Sequence, residues 1–141
     1  MGYLRVVDPE RCVGCQLCMF ACERRSGTGG ISRSAIHVHS RGGLSRGLTI
    51  TVCRACEDPP CVSVCPTGAL QKRKGGRGVI FISKKCIGCK FCLEACILKA
   101  IFWDERTQKP VVCIHCGYCV KYCFHNVLVW EEEKKEKENA F

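Results

Sequence analysis

The sequence is poor in the features that mark several large classes of protein. Nowhere in its 141 residues does an apolar run approach the ~20 residues of a membrane-spanning helix, so membrane insertion is not expected. Residues 1–8 hold neither an apolar stretch nor a small-residue cleavage site, which argues against a secretory leader. Arg24-Arg25 is not followed by a hydrophobic segment and does not read as a twin-arginine export signal. The expected setting is the cytoplasm, where thiols stay reduced and a disulfide framework is disfavoured. Gly75-Gly76-Arg77-Gly78 departs from the glycine fingerprint of dinucleotide sites. No phosphate loop, nucleophile or general-base constellation is visible, so the chain is not expected to be an enzyme by itself. Ordinary apolar residues are also few. Cysteine makes up about 11% of the chain and counts within its 47% hydrophobic share, which leaves about 36% to build a core. A chain long enough for one ordinary domain or two very small ones then needs staples: disulfides, metals or partners.

Sixteen cysteines are what the sequence has in excess, and they fall into four groups with none left over. The first is Cys12, Cys15, Cys18 and Cys22; the second Cys53, Cys56, Cys61 and Cys65. The third is Cys86, Cys89, Cys92 and Cys96; the fourth Cys113, Cys116, Cys119 and Cys123. Three groups share the spacing C-x2-C-x2-C-x3-C, and the second widens its middle gap to four residues, Glu57-Asp58-Pro59-Pro60. Short β-branched pieces flank the groups and read as strands: Ile36–His39, Leu48–Val52, Val79–Ile82, Ile101–Trp103 and Val127–Trp130. After the third cysteine of a group the chain can make a helical turn or two, as in Leu93-Glu94-Ala95-Cys96. Glycine-rich stretches at Ser26–Gly30, Arg41–Gly43 and Gly75–Gly78 mark turns or flexible connections. Residues 131–141 form a mixed charge run, expected as a solvated tail without a function of its own.

Soft thiolates suit iron–sulfur clusters, zinc and Cu(I), and spacing separates the three. Cysteines at i, i+3 and i+6 of a curled loop can each reach a different iron corner of a [4Fe–4S] cube, and the wrapped backbone turns N–H groups toward its sulfurs. In such runs the fourth cysteine serves the other cluster of a pair. Zinc sites use two C-x2-C pairs a dozen or more residues apart, and a triple with two x2 gaps crowds a thiolate that one tetrahedral ion does not need. Four runs that use all sixteen cysteines point to four [4Fe–4S] clusters, with a zinc-bound structural protein as the remote alternative. Gly14 and Gly88 precede the second cysteine of their groups and Gly117 follows it in the fourth, where a tight turn also allows close backbone approach to a cluster. The formal net charge of +9, from 22 basic and 13 acidic residues, would alone suggest nucleic acid or an anionic surface. Each cube with its four thiolates carries roughly −2, so four clusters leave about +1, and the basic residues read as compensation rather than as a nucleic-acid site.

Other residues divide between site and surface. His37 and His39 alternate on an expected strand and share a face, which most simply makes a surface pair. His115 lies between two cluster cysteines and His125 follows the last. With four thiolates per cluster, histidine ligation is unnecessary, although His115 can tune a potential. Arg54, Lys90 and Lys121 lie in or beside the cysteine runs and either raise cluster potentials or simply keep the surface soluble. Trp103 and Trp130 are expected to pack over clusters and shield them from water. Glu57-Asp58-Pro59-Pro60 reads as a rigid turn or an acidic docking loop.

Together these residues resemble the four-cluster, sixteen-cysteine ferredoxin-like subunits of oxidoreductase complexes, over nearly all of residues 5–130. The segments CRACEDPPCVSVCPTGAL and CIHCGYCVKYC are most similar to the polyferredoxin partners of tungsten-containing aldehyde oxidoreductases. The resemblance implies an α+β fold of two bacterial-ferredoxin-like modules, one nested in the other. The outer module would take residues 1–50 and 105–130, and the inner one residues 51–104. It implies one cluster on Cys12, Cys15, Cys18 and Cys123 and its mate on Cys113, Cys116, Cys119 and Cys22. The inner pair would be Cys53, Cys56, Cys61 with Cys96, and Cys86, Cys89, Cys92 with Cys65. Spacing alone leaves a serial pairing open, since 30, 20 and 16 residues separate successive groups. The implied role is single-electron relay. The implied partners are a tungsten- or molybdenum-pterin oxidoreductase and a ferredoxin, another redox subunit or a further copy of the chain. A free polyferredoxin, or a subunit of a formate, hydrogenase or carbon monoxide dehydrogenase system, is the alternative. Only Cys65 is followed by proline, so the chain leaves the other fourth cysteines without that fixed φ. The fourth group also lacks the long insertion of larger relatives, which favours a cytoplasmic partner over a membrane anchor.

Overall fold

A computed structural model describes residues 2–25, 27, 29–40, 47–74 and 77–132. Short strands and helical turns alternate along it: β1 (Gly2–Val6), α1 (Leu17–Arg24), β2 (His37–Ser40), β3 (Leu48–Thr51), α2 (Pro60–Ser63), β4 (Leu70–Lys72), β5 (Val79–Phe81), α3 (Phe91–Ala95), β6 (Phe102–Asp104), β7 (Lys109–Val111) and β8 (Leu128–Glu132). Three 3₁₀ turns, Pro9–Arg11, Ser83–Lys85 and Tyr118–Tyr122, complete it. The strands form four separate antiparallel ribbons, β1 with β8, β2 with β3, β4 with β5 and β6 with β7. An isolated two-stranded ribbon is marginal in water, so each needs backing. Here the cysteine loops and two small apolar cores supply it.

The first core gathers Leu4, Ile36, Val52 and Leu128 around Cys113 and Cys119, and so draws on both ends of the described chain. The β1–β8 register, with Leu4 opposite Trp130 and Val6 opposite Leu128, holds those ends together. The second core gathers Leu70, Val79, Ile101 and Val112 around Cys61 and Cys92. α1 packs on the Tyr118–Tyr122 turn, and α2 packs on α3. Arg33 crosses to the second half, where its guanidinium meets the buried Asp104 carboxylate at 2.8 Å. Asp104 also accepts from the Arg106 N–H and the Thr107 hydroxyl. These bonds outweigh the effect of burial and hold Asp104 below the usual carboxylate range.

Five of the eight strands fall on the expected β-branched pieces. The other three, β1, β4 and β7, come from segments too short or too polar to show alternation, and β7 contains Pro110. β8 runs on through Glu131 and Glu132, which pair with Tyr3 and Gly2, so the first two residues of the expected charged tail are strand. Its remaining residues, the whole of Arg41–Gly43 and part of the other two glycine stretches lie outside the described residues. Among the described residues no helix is long and apolar enough to cross a membrane.

Candidate metal centres

The third cysteine of every group opens a helical segment: Cys18 in α1, Cys61 in α2, Cys92 in α3 and Cys119 in the Tyr118–Tyr122 turn. Ahead of each, the residue two places after the first cysteine is left-handed. These are Gly14 (φ +73°), Ala55 (φ +56°), Gly88 (φ +72°) and His115 (φ +54°). A left-handed residue reverses the loop and turns its own N–H back toward the preceding thiol. The His115 N–H donates to Cys113 Sγ at 3.4 Å, and the Ala55 N–H lowers Cys53 in the same way. Ala55 and His115 adopt this conformation without being glycine, at a cost of about 1–2 kcal/mol each. At the far end of three groups, a backbone N–H reaches the fourth thiol: Ala35 to Cys22 at 3.3 Å, Ala69 to Cys65 at 3.2 Å and Ala100 to Cys96 at 3.4 Å.

All sixteen cysteines are free thiols, and the chain brings them together across groups. Cys12, Cys15, Cys18 and Cys123 line one cavity that opens to solvent. Cys86, Cys89, Cys92 and Cys65 line a second. Cys53, Cys56, Cys61 and Cys96 line a third. Cys22 lies within electrostatic reach of both Cys113 and Cys119, and Cys119 also lies within reach of Cys116 and of Cys18. Cys113 also lies within electrostatic reach of Cys53, a thiol of the third cavity.

Burial, reinforced by neighbouring thiolates, pushes Cys18, Cys61 and Cys92 up to about 11 and Cys119 to about 12. Cys113 moves in the same direction for the same reason. Cys65 is the exception. Burial raises it too, but N–H groups of Leu70, Thr67 and Ala69 bring it below the ordinary thiol value. The raised thiols Cys18, Cys61, Cys92, Cys113 and Cys119 favour their neutral form at pH 7 unless a cation takes up their charge. Four thiols drawn from two groups around each cleft fit a four-iron core, which carries its own sulfides and a net positive charge.

The residues singled out in sequence fall variously. Lys90 and Trp103 line the second cavity, with the Lys90 ammonium 4.8 Å from the indole ring centre, and Arg54 lines the third. Lys121 is exposed and lines none of the three cavities. Trp130 packs on the Gly117 turn of the fourth group. His37 and His39 share a face with rings stacked at 5.8 Å, and His37 also packs on Phe102. His125 lines the first cavity. His115 is 1% exposed, and its Nδ1 accepts the Leu4 N–H at 3.0 Å. Burial, with the nearby Arg73 charge, lowers its pKa to about 4, so the ring is neutral. Asp58 and Glu57 are exposed ahead of Pro59 and Pro60, the latter being the first residue of α2, where its missing N–H is no loss. Arg25, which the spacing did not single out, sets its guanidinium 3.3 Å from Cys116 Sγ.

Comparison with known proteins agrees with this donor set. The 4Fe-4S dicluster domain matches residues 47–130, and the 4Fe-4S binding domain matches residues 5–25. The thiosulfate reductase electron transfer subunit PhsB of Salmonella typhi is 39% identical over 67% of this chain and 52% of its own length. The electron transport protein HydN of Escherichia coli K12 is 37% identical over 79% of this chain and 64% of its own. The NADH-dependent phenylglyoxylate dehydrogenase subunit beta of Aromatoleum evansii is 43% identical over 71% of this chain, but over only 23% of its own. The chain thus spans between about a quarter and two thirds of the length of these relatives. With more than half of its residues matched and sixteen thiols that fit four [4Fe–4S] clusters, the chain belongs to the 4Fe-4S dicluster family of ferredoxin-type proteins, whose relatives include iron–sulfur electron-transfer subunits of oxidoreductases.

Proposed function

We propose that this chain is a four-cluster relay subunit that passes single electrons between a catalytic oxidoreductase subunit and an acceptor. The observation that carries the proposal is the mixed parentage of each cavity. Three lining thiols come from one cysteine group and the fourth from another, group four for group one and group three for group two. We read the sets as nested. Cys12, Cys15, Cys18 and Cys123 hold one outer cluster, and Cys113, Cys116, Cys119 and Cys22 the other. Cys53, Cys56, Cys61 and Cys96, and Cys86, Cys89, Cys92 and Cys65, hold the inner pair. The two apolar cores, one built from both ends of the chain and one from its middle, support an outer module of residues 1–50 and 105–130 around an inner module of residues 51–104. The proximity of Cys113 to Cys53 makes the junction, so electrons pass from an outer to an inner pair through that contact. The sixteen cysteines supply only ligands; the iron–sulfide cores, when bound, supply the redox change.

The partner we favour is a tungsten- or molybdenum-pterin aldehyde oxidoreductase, on the strength of the second and fourth cysteine segments. A ferredoxin, a further redox subunit or a second copy of the chain takes the electrons. Free thiols in this number suit a reducing compartment, and we place the protein in the cytoplasm. Anaerobic native purification with metal analysis tests the assignment. It should give about sixteen irons and sixteen sulfides per chain, with tungsten or molybdenum in a larger copurifying subunit. A pale protein containing zinc would end the relay reading, and a brown protein that travels alone would make it a free polyferredoxin. Cys22→Ser tests the nesting. It should alter the cluster of the fourth group, whereas damage confined to a cluster of the second group would show serial pairing.

A further inference from the structure

Arg25 follows α1 directly, three residues after Cys22. Its side chain spans from the first cysteine group to the fourth, and its Nη1 donates to the exposed Cys116 thiol at 3.3 Å. The side chain is exposed to solvent. What burial it has works against its charge, but the bond to Cys116 and the charges of Cys116, Cys22 and Cys113 more than compensate. It therefore touches one thiol of a proposed ligand set, Cys116, and lies within electrostatic reach of Cys22 and Cys113, as a permanently charged, hydrogen-bonding cation.

An ordinary exposed ion pair would add little to stability. A cation beside a redox centre acts differently. When a cluster with its four thiolates accepts one electron, its charge goes from roughly −2 to −3, so an adjacent positive charge favours the reduced form. No bond is made or broken and no proton need move. The charge that matters is already in place, held within hydrogen-bond distance of a ligand sulfur.

We propose that Arg25 is a tuning residue that raises the reduction potential of the cluster held by Cys22, Cys113, Cys116 and Cys119, making the cluster nearest the inner pair an electron-holding step in the relay. The proposal rests on the nested reading of the ligand sets. Its consequence is local: the junction cluster fills before its outer mate and holds its electron beside Cys53 and the inner pair.

The test uses the cluster-loaded chain with Arg25→Gln and Arg25→Lys, poised anaerobically at a series of potentials and read by electron paramagnetic resonance. Arg25→Gln should make one cluster at least tenfold harder to reduce, a fall of about 59 mV for a one-electron couple, while the other three hold their values. Arg25→Lys, which keeps the charge but loses the planar fork, should fall by less. The signal that moves must also be the one that Cys116→Ser alters. Unchanged potentials in Arg25→Gln, a fall shared equally by all clusters, a shift in a signal that Cys116→Ser leaves alone, or the loss of about four irons per chain in either variant would each overturn the proposal. Failure of the underlying reading looks different: Cys22→Ser and Cys116→Ser would then alter different signals.

Discussion

His115 shows how much one buried side chain can organise. It sits between Cys113 and Cys116 in the left-handed region, donates its N–H to Cys113, and accepts the Leu4 N–H on Nδ1. Its ring also fills the space over Gly78, where a Cβ would come within 3.1 Å of Cδ2. The residue thus pins strand β1 and the β5 hairpin to the fourth cysteine group at once. His115→Ala would leave the Leu4 N–H unpaired and open a cavity, at a cost of about 2–4 kcal/mol. His115→Asn, which can offer an oxygen to the same N–H, should lose less. Loss of cluster absorbance on a guanidinium gradient reads both, with Ala bleaching first. Asp104 makes a parallel case. Its carboxylate takes Arg33, Thr107 and the Arg106 N–H, so Asp104→Asn should cost about 1–3 kcal/mol. Arg33→Met should cost less once Asp104 is already Asn, and the same bleaching assay on the double variant shows the coupling. Sequence could flag His115 by its place among the cysteines. It could not show the anchor, because Leu4 lies 111 residues away. Arg25 escaped for a similar reason, since Cys116 is 91 residues from it.

At the scale of elements, the fold is a set of cysteine loops, each turned by a left-handed residue, with a thin ribbon behind it. The loops were legible because their chemistry fixes their spacing. The ribbons were legible only in part. Strands of three residues, such as β4 and β7, are too short to display a period, and β1 finds its partner only at the far end of the chain. Glycine has different weight in different loops. At Gly117 (φ +74°) an added Cβ would sit 2.8 Å from Trp130 Cε3, inside the indole that lies across the turn. At Gly14 (φ +73°) the nearest atom is the flexible Leu48 Cδ1, at 3.1 Å. Both alanine variants pay the left-handed cost of about 1–2 kcal/mol, but Gly117→Ala adds about 1–3 kcal/mol of overlap that Leu48 can largely avoid by moving. Gly117→Ala should therefore lose its clusters at a lower temperature than Gly14→Ala. Equal midpoints in anaerobic thermal bleaching would show that Trp130 yields as readily as Leu48.

For the whole molecule, the balance of charge is set by what the thiols hold. The chain carries a formal +9 with its cysteines neutral, and burial pushes Cys18 up to about 11, Cys119 to about 12 and Cys113 further in the same direction, so these thiols add no negative charge to the metal-free chain at pH 7. Four clusters at roughly −2 each bring the loaded protein to about +1. Loss of the clusters would therefore leave a strongly basic chain whose cores are too small to stand alone, and both effects act in one direction: expansion by self-repulsion, and exposure of the apolar faces that the ribbons cover. Raising the pH also weakens any folded metal-free form, through its buried thiols. A thiol whose pKa is higher folded than unfolded stabilises the fold fully below the unfolded value of about 9, and that contribution is lost as the pH climbs toward 11. Stripping iron anaerobically with a chelator under reducing conditions should abolish most of the far-ultraviolet dichroism at pH 7. It should also move elution from a cation exchanger from near the void to a high salt concentration. Elution of stripped and loaded protein at the same salt would mean that the clusters do not carry the charge assigned to them. In that case the excess of lysine and arginine would need another partner to balance it.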